Sequence, residues 1–420
     1  MVFNKISPRA AIVCLLLLLS GFSESIVAQS LPFSPYITIR GGLRNTAKLA
    51  HEGNTTFAGN DKLSSAQINV AFLGGSITFN PGWRDMVSSY LKTSFPNAQF
   101  HFIAAGIPSL GSLPHAFRLQ RDVLDSGRID LLFLEAAVND QVNATDSVTQ
   151  VRALEGTIRH ARKSNPYLDV VMMSFADPDK TLRYQQGKTP LSVANHELVA
   201  DYYNLPSINL AKAVSDKLAN KEFDWDKDFV DLHPSPFGQE LYFAAIKELL
   251  ATALKAPGRT MKKLPLVKHV LKKKQLDTAS FSNGSYLNIK NALHGADWKI
   301  DSNWVPKDGL GTRTGFVNVP VLMSSTPNAP LTLKFKGNAI GIAVVSGPDA
   351  GTITYQIDNG KKQQVDLFTP WSSSLHLPWY LMLNAGLKNG NHHLKLYLNA
   401  NSNKDSKGTA CRIVYFLLDK

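Results

Sequence analysis

Ile68-Asn69-Val70-Ala71-Phe72-Leu73-Gly74-Gly75-Ser76-Ile77-Thr78 is the stretch on which the fold turns. An unbroken apolar run ends in two glycines and a serine. Such a run reads as a strand buried on both faces, the mark of a parallel sheet covered by helices. The glycines permit a sharp turn at its end. The same unit recurs downstream. Phe100 to Ala104, Leu131 to Glu135 and Val170 to Ser174 read as strands, with Ser207 to Asn209 as a last short one. Between and after them Trp83 to Phe95, Leu113 to Asp125, Asp146 to Ser164, Leu191 to Tyr203 and Pro236 to Leu254 read as helices. The alternation predicts a three-layer α/β/α sandwich on a parallel sheet. Ligands in such sheets bind beyond the carboxyl ends of the strands.

Outward from this core the pattern weakens. Residues 29–68 carry no strong period, although Tyr36 to Arg40 reads as a strand. Residues 256–278 hold Pro257, Gly258, Pro265 and a run of lysines, and read as a basic linker. From about 279 short β-type runs alternate with turns: Leu331 to Phe335, Ile340 to Val345, Thr352 to Ile357, His393 to Leu398 and Arg412 to Leu418. Asp358-Asn359-Gly360 and Asn389-Gly390-Asn391 are hairpin-turn signals. This predicts an all-β sandwich of jelly-roll type over 279–420, after an α/β domain over 29–255.

Three blocks sit at the expected strand ends, and a fourth lies in a loop before the last helix. They are Gly74 to Thr78, Gly106 in Ala-Ala-Gly-Ile, Val138-Asn139-Asp140, and Asp231-Leu232-His233-Pro234. Ser76 can attack a carbonyl. His233 can take its proton and return it to a leaving alcohol. Asp231, two residues before the histidine, and Asp228, five before it, are the carboxylates able to fix the ring tautomer. Asn139 can donate its amide to an oxyanion, and Gly106 a backbone N–H. Asp140 reads as a loop-orienting or helix-capping residue.

In this order the blocks resemble those of the SGNH/GDSL hydrolase family, over about residues 69–254. The resemblance implies Ser76 as nucleophile, His233 as base, and an oxyanion hole from the Ser76 and Gly106 N–H groups and the Asn139 amide. Three positions depart from the family pattern: Gly75 where aspartate is usual, Ala137 where glycine is usual, and Val230 where the third acid usually stands. Asp231 is then the first choice for that acid and Asp228 the second, with a serine–histidine dyad as the alternative. The resemblance implies an exported esterase, with acetylated polysaccharide as the expected substrate. The alternatives are a carbohydrate-binding protein that no longer turns over, and a lipase or thioesterase.

The composition sets the frame. The 420 residues are 44% hydrophobic and 19% charged, as in ordinary globular proteins. Lys5 and Arg9, the apolar run Ala11 to Leu19, and Ala28 before the expected cleavage point predict a signal peptide over 1–28, hence a secreted or periplasmic protein. No stable membrane anchor is expected. Of two cysteines, Cys14 falls inside the signal, leaving Cys411 without a disulfide partner. The net charge of +12 suits either attraction to uronate-bearing polymers or a basic solvated surface. The sequence holds no P-loop, dinucleotide fingerprint, zinc spacing or nucleic-acid motif, so no cofactor, metal or nucleic-acid partner is expected. In the second domain Trp371, His376 and Trp379 lie in a stretch from Asp366 to Tyr380 and are possible sugar contacts, the alternative being core packing.

Overall fold

The computed structural model describes residues 30–54, 67–255 and 265–420. The expected signal peptide and the first part of the basic connection lie outside them. The first domain is a six-stranded sheet built from β1 (Ile37–Thr38), β2 (Ile68–Gly74), β3 (Phe100–Gly106), β4 (Leu131–Glu135), β5 (Asp169–Met173) and β6 (Ser207–Ile208). Its order is β1-β6-β5-β4-β2-β3, parallel except for the antiparallel edge strand β1. The order reverses around β2, which lies between β4 and β3, so a crevice opens at the carboxyl ends of β2 and β4.

Helices cover both faces: α1 (Arg44–Gly53), α2 (Ser76–Phe79), α3 (Trp83–Ser94), α4 (Ser112–Asp122), α5 (Ala137–Val142), α6 (Ser147–Ser164), α7 (Pro178–Gln185), α8 (Leu191–Tyr202), α9 (Leu210–Ala219) and α10 (Pro236–Ala253). Strand periodicity sorts the core. Val70 and Phe72 of β2 enter a cluster with Trp83, Phe133, Phe175 and Tyr242, while Ala71 and Leu73 enter the opposite one with Leu132, Leu154 and Ile158. Helix starts follow local capping chemistry. Asp146 accepts from Thr149 N at 3.0 Å to open α6, and Ser235 caps α10 with Pro236 at its first position.

The strands of the second domain pair antiparallel: β7 (Ser285–Leu287), β8 (Leu293–His294), β9 (Lys299–Trp304), β10 (Val319–Ser324), β11 (Pro330–Ser346), β12 (Thr352–Ile357), β13 (Gln363–Asp366), β14 (Leu377–Leu398) and β15 (Cys411–Asp419). The path β13-β12-β14-β11-β15-β10-β9 is one hydrogen-bonded sheet, curled into a half-barrel, in which the long strands β11 and β14 pair along most of their length. Asp358-Asn359-Gly360 makes the expected turn, with Gly360 N donating to Ile357 O at 2.9 Å. Asn389-Gly390-Asn391 does not turn the chain. It lies inside β14, where Gly390 pairs with Gly337 and the register then jumps to Ala385 opposite Ala339. The glycine-rich signal marks a bulge that bends a continuous strand rather than ending it. Cys411 is buried and free, and burial pushes its thiol up to about 12.

The described part of the basic connection, from 265 onward, is docked on the first domain. His269 Nε2 meets Asp169 Oδ1 at 2.8 Å, Val267 N donates to Asn45 Oδ1 at 2.8 Å, and Lys272 lies over the Tyr202 ring. The two domains also share a core. Leu110, Leu113 and Phe117 pack in one cluster with Phe281, Phe316, Tyr380 and Val414. Arg121 of α4 donates to the Tyr415 hydroxyl at 2.7 Å and lies over the rings of Tyr286 and Tyr415.

Candidate active site

The chain after β2 turns at once into α2, and Ser76 is the first residue of that helix. Its Oγ lies 2.8 Å from Nε2 of His233. The two meet across 157 residues because Ser76 ends the central strand and His233 precedes α10, which packs beside α3. Asn139 enters from the end of β4, in the first turn of α5, and is buried beside Gly75. A side chain at Gly75 would overlap the Asn139 amide oxygen, so glycine is required there with Asn139 in this position. Gly106 is constrained by a different neighbour. A methyl group on it would strike the backbone of Thr78 and Phe79, so the residue lets α2 pack over the end of β3. The cleft surface beyond it is formed by Pro108 and Ser109.

Asp231 stands beside the base, but loosely. Its Oδ1 is 3.5 Å from His233 Nδ1, and the aspartate and histidine side chains are 61% and 45% exposed. The same oxygen accepts the backbone N–H of His233. Asp228 is used elsewhere: its carboxylate accepts Asp224 N at 2.7 Å and its carbonyl accepts the Ser235 hydroxyl. Val230, three residues before the histidine, is 54% exposed with φ 80° and ψ −62°. A β-branched residue rarely adopts a positive φ. It follows a turn of π-helix over Trp225–Phe229; the Trp225 and Phe229 rings stack at 4.6 Å, and Phe229 packs on Tyr242.

Behind the cleft lies a buried polar layer that sequence reasoning missed, apart from Asp140. Asp140 Oδ1 accepts from Ser112 N at 2.8 Å and Ser112 Oγ at 2.9 Å. It thus ties α5, which carries Asn139, to the start of α4; the helix that follows, α6, which the sequence expects it to cap, is opened by Asp146 instead. Burial pushes its carboxyl up to about 7, against the Ser112 hydrogen bonds that favour the ionised form. Glu135 is also pushed up to about 7 by burial, opposed by Lys180 and by the N–H of Val138. Lys180 is buried with Asp177 as its ion-pair partner. Burial lowers His196 to about 4. The Asp140–Ser112 contact spans 28 residues, which no local spacing announces, whereas Glu135–Val138 and Lys180–Asp177 are each closed within one turn.

The cleft in front of Ser76 has a volume of about 540 Å³ and is walled by both domains. The first domain supplies Phe79, Asn139, Val142 and His233, the second Arg313, Trp371, Leu375 and Leu377. Trp371 is 41% exposed on its rim. The other two expected sugar contacts are placed differently. His376 is 2% exposed, with Nε2 held by Asp308 at 2.9 Å and its ring edge-on to Trp304, so it anchors the overhanging loop from below. Its backbone N–H also donates to Gly311 O at 2.8 Å, joining the loop of Trp371 to that of Arg313. Trp379 packs on the β-domain core and lines a separate cavity of about 290 Å³ along the seam. Trp298 and Trp304 are buried.

Residues 72–241 match the GDSL-like Lipase/Acylhydrolase family. The chain carries a GDSL-like lipase/acylhydrolase domain. This domain includes Ser76, Gly106, Asn139 and His233. No curated protein is significantly similar in sequence. Among solved structures, a two-domain esterase (CEX) active on acetylated mannans, co-crystallised with mannopentaose, is similar with a TM-score of 0.72 at 18% identity, over 93% of this chain and 99% of that one. A second structure of a two-domain esterase (CEX) active on acetylated mannans gives 0.68 at 18% identity, over 92% and 98%. Axe2, an acetylxylan esterase from Geobacillus stearothermophilus, matches 45% of this chain and 97% of its own at 16% identity, with a TM-score of 0.36. The two-domain architecture of the mannan-active esterase is therefore shared nearly end to end, with little sequence in common. No helix among the described residues is long and apolar enough to cross a membrane.

Proposed function

We propose that the GDSL-like domain of this protein is an exported serine esterase that removes acetyl groups from a polysaccharide. The observation that carries the reading is the 2.8 Å contact of Ser76 Oγ with His233 Nε2 at the floor of an open cleft. Ser76 attacks the ester carbonyl while His233 Nε2 takes its proton. The oxyanion is held by the Asn139 amide and the Ser76 N–H; Gly106, the other donor expected from the sequence, packs under α2 and does not line the cleft. His233 returns the proton to the sugar oxygen as the tetrahedral intermediate collapses, leaving acetyl on Ser76. A water then attacks the acetyl carbonyl as His233 takes its proton, and His233 returns that proton to Ser76 Oγ as the Oγ–acyl bond breaks and acetate leaves. Asp231, exposed beside Nδ1, steadies the imidazolium that forms in each step.

Acetylated carbohydrate as substrate is supported by the end-to-end likeness to an esterase active on acetylated mannans, and by the cleft between the two domains. Export rests on the sequence of residues 1–28. The test is hydrolysis of p-nitrophenyl acetate and of an acetylated polysaccharide by the mature chain. Ser76→Ala and His233→Ala should each abolish both activities with the fold retained by circular dichroism, and Asn139→Ala should lower kcat about 10²–10³-fold with little change in KM. Undiminished hydrolysis by a folded Ser76→Ala protein would overturn the nucleophile.

A further inference from the structure

The cleft contains a guanidinium with no counter-charge among the described residues. Arg313 reaches it from the loop between β9 and β10 of the second domain. Its Nε donates to Ser109 Oγ at 3.1 Å, which fixes the plane of the group against the first domain. Its two terminal nitrogens make no hydrogen bond or ion pair among the described residues. No aspartate or glutamate among those residues lines the cavity. Asp308, the closest acid along that loop, is held by His376 at 2.9 Å. The surrounding protein strips water from Arg313 and pulls its pKa down, with no carboxylate to offset the effect. A partly desolvated, unpaired arginine is costly in a resting protein, and such a group is retained where a ligand completes it.

We propose that Arg313 is a specificity-determining residue that binds a carboxylate on the sugar chain beside the scissile ester, so that the substrate is an acetylated uronate-bearing polysaccharide. The inference rests on the esterase reading and names its substrate class. The planar group, already held by Nε, presents Nη1 and Nη2 side by side, which matches the two oxygens of a carboxylate. Trp371 on the same rim offers a face for a neighbouring sugar ring. The net charge of +12 draws an acidic polymer toward the protein, and Arg313 supplies the local recognition. Deacetylation needs nothing of Arg313 chemically. Its part is to set which sugar sits at the cleft.

The test uses the mature two-domain chain and short neutral and acidic trisaccharides as competitive inhibitors of p-nitrophenyl acetate hydrolysis. Trigalacturonate should inhibit about tenfold or more better than mannotriose at low salt, a preference that shrinks as salt rises. Arg313→Gln should remove that preference by weakening trigalacturonate while leaving mannotriose unchanged, and Arg313→Lys should keep part of it. Equal inhibition of the unaltered protein by the two trisaccharides overturns the proposal, as does a preference that survives in Arg313→Gln. If the unaltered chain does not hydrolyse the ester at all, the esterase reading fails on its own. The affinities of both trisaccharides measured by calorimetry, with the same variants, then still decide the role of Arg313.

Discussion

Asp231→Asn is the sharpest probe of how this site departs from a buried triad. The substitution removes the charge and keeps an oxygen that can still accept the His233 backbone N–H, so it isolates electrostatics from loop structure. The pair is 3.5 Å apart with both partners more than two-fifths exposed. An exposed pair of this kind contributes about 0.2–1 kcal/mol, because water competes for both charges. At about 1.4 kcal/mol per decade that is roughly a 1.4- to fivefold effect. A buried triad carboxylate, by contrast, is worth about 10⁴ in kcat. We therefore expect Asp231→Asn to lower kcat about two- to fivefold with KM unchanged, since the imidazolium it stabilises exists only during reaction. Asp231→Ala, which also frees the His233 N–H, should cost more, about 10-fold or above. The assay is steady-state hydrolysis of p-nitrophenyl acetate at low and high salt, and the Asp231→Asn deficit should shrink at high salt as screening removes the benefit from the unaltered protein. A loss of about 10³ or more in Asp231→Asn, insensitive to salt, would refute the reasoning and mean that the carboxylate closes on Nδ1 as a buried partner.

Gly75→Ala should displace the Asn139 amide that a methyl group there would overlap, lowering kcat toward the Asn139→Ala level with the thermal midpoint little changed; an unaltered kcat would remove Asn139 from the oxyanion site. Trp371→Ala should raise KM for polymer more than for a small acetyl ester, because a sugar stacked on the rim is bound alike in ground and transition states; equal losses on both would assign it to packing. Glu135→Gln should raise the melting temperature by a few degrees at about pH 8 and not at about pH 4. Its carboxyl is pushed up to about 7 by burial, from an ordinary 4.5, so the folded state holds a proton that the unfolded chain releases between those two values, and the native form loses stability as pH climbs through that range. A gain equal at both pH values would show that packing, not ionisation, is the cause.

The first domain is legible because its signals are local. A two-sided buried strand such as β2 is apolar almost without interruption, and the turn after it needs small residues, so Ile68 to Ser76 reveals both strand and nucleophile position. The short helices α1, α7 and α9 are not legible in the same way: Arg44–Gly53 buries Asn45, Thr46, Ala47 and Ala50, and Pro178–Gln185 buries Lys180 and Thr181, so their inner faces carry no large apolar side chains to announce them. In the second domain turn chemistry makes Asn389-Gly390-Asn391 read as a hairpin, yet glycine also serves a strand that must bend over its neighbour. The site divides in the same way. Ser76, Asn139 and His233 sit in recognisable blocks and converge. Arg313 and the Asp140–Ser112 clamp depend on contacts between segments far apart in the chain, and His376 and Trp379 show that an aromatic loop does not declare which of its rings will face out.

The cleft exists only if the two domains hold a fixed relation, and the packing between them predicts how the protein unfolds. Phe117 and Phe281 rings lie 5.1 Å apart inside one cluster that draws on α4 from one side and β11, β14 and β15 from the other. Arg121 extends the seam by lying over two tyrosine rings while its Nε pairs with Asp122. Connections between domains of this size are ordinarily wet and polar, and leave each domain to melt alone. A shared apolar core instead couples them, because separating the domains would expose Leu110, Leu113 and Phe316 to water at about 25 cal/mol per Å² of apolar surface. The expected calorimetric scan of the mature chain is a single transition. A chain ended at Leu254 should express poorly or aggregate, since it bares the α4 face that β15 and the Phe281 strap cover. Arg121→Ala removes the aromatic and hydroxyl contacts without opening the apolar core, so it should lower the melting temperature while leaving one peak. Two resolved transitions in the unaltered protein would mean that the domains are only tethered, and the cleft wall formed by Arg313 and Trp371 would then be free to move away from Ser76.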